Sequence, residues 1–82
     1  MKGLTNRQRE VLDFIQSFIT TNEYPPSFKE IGGYLYLSST KAVFDHLGVL
    51  EKKGYITRIA AQPRTIVLTE RAKRLYDKNK GG

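Results

Sequence analysis

Apolar residues recur at helical spacing three times along the chain and then cluster as short strands. Val11, Leu12, Ile15, Phe18 and Ile19 form one stripe of a first helix. Thr5 and Gln8, three apart just ahead of it, make a capping box in which each side chain serves the other's backbone N–H. Thr20-Thr21-Asn22-Glu23 is weak helix material, and Tyr24-Pro25-Pro26 is extended because proline restricts the residue before it. Ser27 and Glu30 repeat the capping box and open a second helix, with Ile31 and Leu35 on its apolar side. Gly32-Gly33 inside it either weakens the helix or admits a close neighbouring backbone, and the helix ends near Tyr34–Tyr36. A third helix opens at Ser38 or Ser39 and buries Val43, Leu47 and Leu50. It closes at Gly54, with Lys52 and Lys53 at the negative end of its dipole.

The period then shortens. Residues 55–59 and 65–68 are β-branched and aromatic, and Ala60-Ala61-Gln62-Pro63-Arg64 separates them, so a hairpin is expected. Thr69 caps a last helix running to about Asp77, with Leu68, Ala72, Leu75 and Tyr76 on one side. Those four residues either cover the domain's own core, the simpler reading, or pair with the same helix of a second copy. Residues 78–82 are expected to fray. The fold class is therefore mostly α with a small β-hairpin: a three-helix bundle plus wing, with an additional C-terminal helix. Three helices followed by a hairpin is the winged helix-turn-helix order, in which the later helix of the pair enters the major groove of DNA. The 82 residues leave no room for a second core, so residues 1–77 form a single domain.

Charge sharpens this picture. The net charge is +6, and the first forty residues are neutral, so all the excess lies beyond residue 40. A focused positive field attracts a polyanion. Charge alone leaves nucleic-acid binding and a solvated basic surface about equally open.

With Val43, Leu47 and Leu50 inside, the opposite face of the third helix carries Lys41, Asp45, Gly48 and Lys52. Lys41 can donate to guanine, Asp45 can accept from cytosine N4, and Ala42 can meet a thymine methyl. Ser39 can contact a phosphate or a base edge. Gly48 lets the helix lie close to a groove wall. Candidate phosphate contacts are Ser38, Gly48, Lys52, Lys53, Arg58 and Arg64. Arg64 either enters the minor groove from the hairpin tip or extends into solvent. About five phosphate contacts would give a salt slope of about −4 to −5 in log K against log salt. Against this stands the plain possibility that Lys41 and Asp45 merely pair, i to i+4, on a solvated helix.

Several runs resemble the N-terminal DNA-binding domain of the LexA repressor family. They are Leu4-Thr5-Asn6-Arg7-Gln8-Arg9-Glu10-Val11, Pro25-Pro26-Ser27-Phe28-Lys29-Glu30-Ile31, Ser38-Ser39-Thr40-Lys41-Ala42 with His46-Leu47, and Leu50-Glu51-Lys52-Lys53-Gly54-Tyr55-Ile56. The likeness covers about residues 4–68. It implies a sequence-specific double-stranded DNA-binding regulator that acts as a repressor, whose base-reading positions fall on Ser39, Lys41, Ala42, Phe44 and Asp45. Lys41 stands where that family usually has asparagine, and Phe44 where it usually has glutamate, so the family's operator is not carried over. Phe44 has three readings: contact with thymine methyls, packing beneath the wing, or a protein contact. The family's self-cleaving serine-lysine protease half, with its dimer interface, has no counterpart in these residues. A homodimer on a palindromic site remains an expected partner arrangement, since one copy reads only a half-site.

Other functions find little support. There is no cysteine and a single histidine, His46, without a second ligand at useful spacing. No nucleophile stands with a base, and no glycine-rich phosphate loop follows a strand, so neither catalysis nor a cofactor or metal is expected. No stretch has signal-peptide or membrane-spanning character, which makes a cytoplasmic, nucleoid-associated protein the default. The competing function is a protein-interaction module or a modulator of a host regulator, anchored by Phe44, Tyr34, Tyr36 and Tyr76. Single-stranded or RNA binding is a weaker third reading.

Overall fold

The computed structural model describes residues 3–59 and 62–80. Four helices and one hairpin follow in the order α1 (Asn6–Asn22), α2 (Phe28–Leu35), α3 (Thr40–Lys52), β1 (Ile56–Thr57), β2 (Val67–Leu68) and α4 (Glu70–Lys80). The strands are antiparallel, with Ile56 opposite Leu68 and Thr57 opposite Val67. This is a winged helix-turn-helix.

Both capping boxes form. Thr5 Oγ1 accepts from the Gln8 amide at 3.1 Å and Gln8 Oε1 accepts from the Thr5 amide at 3.0 Å. Ser27 and Glu30 repeat the exchange at 3.1 and 2.8 Å. Each helix start thus has two of its orphan donors satisfied locally. α1 runs on through Thr20-Thr21-Asn22, which propensity disfavours. The Thr20 hydroxyl donates to the Gln16 carbonyl at 2.9 Å and Asn22 Nδ2 to the Phe18 carbonyl at 3.0 Å, so these side chains bond back onto the helix. Glu23, left-handed at φ 66°, ends it.

Two further helix ends close by the same device. After α3, Gly54 adopts φ 87°, its N–H donating to the Glu51 carbonyl while the Tyr55 N–H reaches Leu50. After α2, Tyr36 occupies the left-handed position at φ 59°, with the Leu37 N–H donating to Gly32 at 2.9 Å. This Schellman arrangement normally takes glycine, so a tyrosine there carries local strain.

The core joins all elements: Val11, Leu12 and Ile15 of α1, Ile31 and Leu35 of α2, Val43, Leu47 and Leu50 of α3, Ile56 and Ile66 of the hairpin, and Ala72 of α4. Gly32 explains one of the paired glycines. A Cβ there would stand 3.3 Å from Val43 Cγ2, so its absence lets α3 close on α2. Gly33 faces open space.

The wing is shorter than its β-rich sequence implies. Thr65 Oγ1 accepts from the Ile59 amide at 3.0 Å and lies 2.9 Å from the Gln62 carbonyl, so a side chain closes the hairpin where further ladder bonds were expected. Ala60 and Ala61, assigned to the break between strands, lie outside the described residues. Thr69 ties α4 to the end of α3, donating its hydroxyl to the Gly54 carbonyl at 2.6 Å and accepting from the Ala72 amide at 3.4 Å. Leu68, Leu75 and Tyr76 pack against the same core that encloses Ala72. The backbone of α4 continues to Lys80, beyond the expected end at Asp77; the rest of the expected frayed tail, Gly81-Gly82, lies outside the described residues.

Candidate nucleic-acid interface

The start of α3 is the most open part of the helix pair. Ser39 caps it, its Oγ accepting from the Lys41 amide at 3.1 Å. Ser38, Ser39, Thr40, Lys41 and Asp45 are all exposed, and Ala42 is partly covered. Lys41 and Asp45 do pair, at 3.5 Å, with 82 % and 67 % of their side chains exposed. An exposed pair at that length contributes no more than a few tenths of a kcal/mol, so either group is readily released to another partner. Gly48 faces open space and Lys52 is exposed further along. The face drawn by Lys41, Asp45, Gly48 and Lys52 is therefore a surface, and no part of the core lies on it.

Phe44 borders this face. Its ring meets Phe28 edge-on at 4.9 Å, and the Arg58 guanidinium lies 5.6 Å from its centroid. Packing beneath the wing thus describes part of its surroundings; a partly exposed side remains.

Three of the cations assigned to phosphate make contacts within the protein. Lys53 Nζ donates to Gln8 Oε1 at 2.8 Å and to the Gly3 carbonyl at 3.1 Å, tying the end of α3 to the start of α1. Arg58 is only 14 % exposed, pairs with Glu51 at 3.4 Å and covers Phe44; its Nε is buried without a well-formed hydrogen bond. Arg64, at φ 60°, is turned back onto the start of α2, with its side chain still partly exposed. Its guanidinium grips both Glu30 oxygens at 3.0 Å, donates to the Pro25 carbonyl at 3.2 Å and stacks over Tyr24 at 5.0 Å. The hydrogen bonds from Arg64 hold the Glu30 carboxyl below the usual glutamate range, with the Ser27 N–H adding to the effect.

Two exposed residues at the open end were not among the nucleic-acid candidates drawn from the sequence. Tyr36 is 95 % exposed in the turn between α2 and α3. Lys29 is exposed on the first turn of α2, facing the same cleft as Thr40. Tyr36 is marked only by the structure, which holds its exposed side chain in a left-handed position with no packing gain. Lys29 left no signal in the sequence, because its neighbours on the surface are set by the fold. The charge map was also incomplete. Of the ten basic residues beyond position 40, five belong to α4, which follows the wing in the chain and is not part of α3.

A helix pair with an open second helix and an adjoining wing defines the class of winged helix-turn-helix modules. Residues 1–65 match the LexA DNA binding domain family, and the chain belongs to that family. It is 47% identical over 75 residues to the LexA repressor of Myxococcus xanthus, covering 92% of this chain and 34% of that protein. To the LexA repressor of Anaeromyxobacter dehalogenans it is 48% identical over 73 residues, covering 89% and 32%. To that of Mycolicibacterium gilvum it is 50% identical over 64 residues, covering 78% and 28%. The chain spans about a third of the length of these relatives.

Proposed function

We propose that this domain binds double-stranded DNA sequence-specifically and represses transcription by occupying a promoter. The observation that carries the reading is the exposed face at the start of α3, capped by Ser39 and opposite the buried Val43, Leu47 and Leu50, in a chain of the LexA DNA-binding family. α3 enters the major groove. Lys41 donates to guanine, Asp45 accepts from cytosine N4, Ser39 and Ala42 meet base edges, and Phe44 lies at the margin of the read sequence. Ser38, Lys52 and Lys29 meet phosphates, Tyr36 adds a phenol donor, and Gly48 allows close approach. Lys53, Arg58 and Arg64 serve instead to hold the scaffold that aims α3.

A single copy reads one half-site, so two copies on a palindromic site give the affinity that regulation needs. Ala72 is enclosed by the core, while Leu68, Leu75 and Tyr76 are only partly covered, and their open side is the candidate surface for that pairing.

Selection of bound duplexes from a random pool tests the reading. A palindromic consensus is expected. Charge reversal of Lys41 and Lys52 together should reduce its binding by about two orders of magnitude. A wild-type domain that retains no duplex at low salt would overturn the assignment.

A further inference from the structure

Phe44 stands about 60° around the helix axis from Lys41, on the edge of α3 that faces the wing. A phenylalanine at the margin of a polar reading face has an evident structural use if it is sealed in the core. This one is only half-buried. With Phe28 it forms the apolar floor of a cleft of about 470 Å3, bounded by Ser27, Lys29, Thr40 and Pro63. Two helix starts and the wing loop converge there.

The floor is rigid. Phe28 supports the ring edge-on at 4.9 Å, and Arg58, itself tied to Glu51, lies across it at 5.6 Å. A ring held from two sides has little rotamer freedom left to lose on contact. Its surroundings also favour an anionic strand: Lys29 stands on one wall and Lys41 one turn earlier on the same helix. In the major groove, the apolar group that a base edge presents is the thymine 5-methyl.

We propose that Phe44, backed by Phe28, is a specificity-determining residue that reads a thymine 5-methyl group beside the base pair facing Lys41. This rests on α3 being the major-groove helix, and adds the identity of one base per half-site. Phe28 acts through Phe44 as a positioning residue, while Arg58 holds the ring's outer side and contacts no phosphate.

The test uses the duplex selected from the random pool. Each thymine is replaced in turn by deoxyuridine, which removes the methyl and nothing else. One position per half-site should bind about fourfold more weakly, the value of burying a single methyl-sized group. Phe44→Ala should bind the thymine and uracil duplexes equally. In the wild-type complex, an NMR cross-peak should join that thymine methyl to the Phe44 ring protons, a readout that needs no folded variant. Uracil tolerated at every position, an unchanged thymine preference in folded Phe44→Ala, or a Phe44 ring with no methyl cross-peak would each overturn the proposal while leaving DNA binding intact. Failure to retain any duplex would overturn both readings together.

Discussion

The two ends of α3 carry similar chemistry in sequence and opposite roles in structure. At its start, Lys41 makes only a long, exposed pair with Asp45, and Ser38 and Thr40 stand open. At its far end and in the wing, Lys53, Arg58 and Arg64 are bound to Gln8, Glu51 and Glu30. A positive charge is useful to a polyanion only if releasing it costs little. The first group meets that condition. The second group ties α1 and the wing to α3, and the wing to α2.

The sharpest division is expected between Lys41→Ala and Lys53→Met. Loss of Lys41 should weaken binding to the selected duplex by about five- to a hundredfold, the range for one base contact, with little change in thermal unfolding. Loss of Lys53 should lower the melting temperature and leave affinity within about twofold. If affinity fell equally in both, the two ends would not differ as described.

The placement of the open end depends on how closely α2 and α3 approach. Gly32→Val drives side-chain atoms into Val43 and should destabilise the domain by about 1–3 kcal/mol in denaturant unfolding. Gly33→Ala, with open space around it, should stabilise by about 0.5–1 kcal/mol. Equal effects would remove the packing explanation for the glycine pair.

Tyr36 sets stability against function within one residue. Tyr36→Gly relieves a left-handed side-chain conformation and should stabilise by about 1 kcal/mol. The same change should weaken duplex binding. A more stable variant with unaltered affinity would make the tyrosine irrelevant to DNA.

Salt dependence separates the cations more finely. Lys52→Ala should make the slope of log K against log salt shallower by about one, the value of one phosphate contact. Arg58→Met keeps the apolar stem over Phe44 and should leave that slope unchanged, with stability altered by less than about 1 kcal/mol. A shallower slope in Arg58→Met would return Arg58 to the interface.

The smallest expected effect is the acid response of the Arg64–Glu30 clasp. Glu30 has a lowered pKa in the folded domain, so its contribution is present above the ordinary glutamate range. It is lost as pH falls through the lowered folded value. The stability difference between wild type and Glu30→Gln should therefore shrink on acidification through that window. A difference constant from neutral pH down to the acid limit would rule out the clasp as its source.

Local signals made much of the fold legible in advance. Capping boxes at Thr5–Gln8 and Ser27–Glu30 act within one helical turn, and Val43, Leu47 and Leu50 are periodic, so both were readable from neighbouring residues. The terminal turn of α1 was not, because Thr20 and Asn22 satisfy themselves on the helix instead of breaking it. The open face of α3 was readable as the complement of its buried stripe. Which cations remain available to a ligand was not. Arg64 meets Glu30 across 34 positions and Lys53 meets Gln8 across 45, and no local pattern encodes such pairings. Periodicity and capping are properties of adjacent residues, so the linear chain determines them. Pairing between distant charges, like the seat of Phe44 on Phe28, exists only once packing has brought separate segments together.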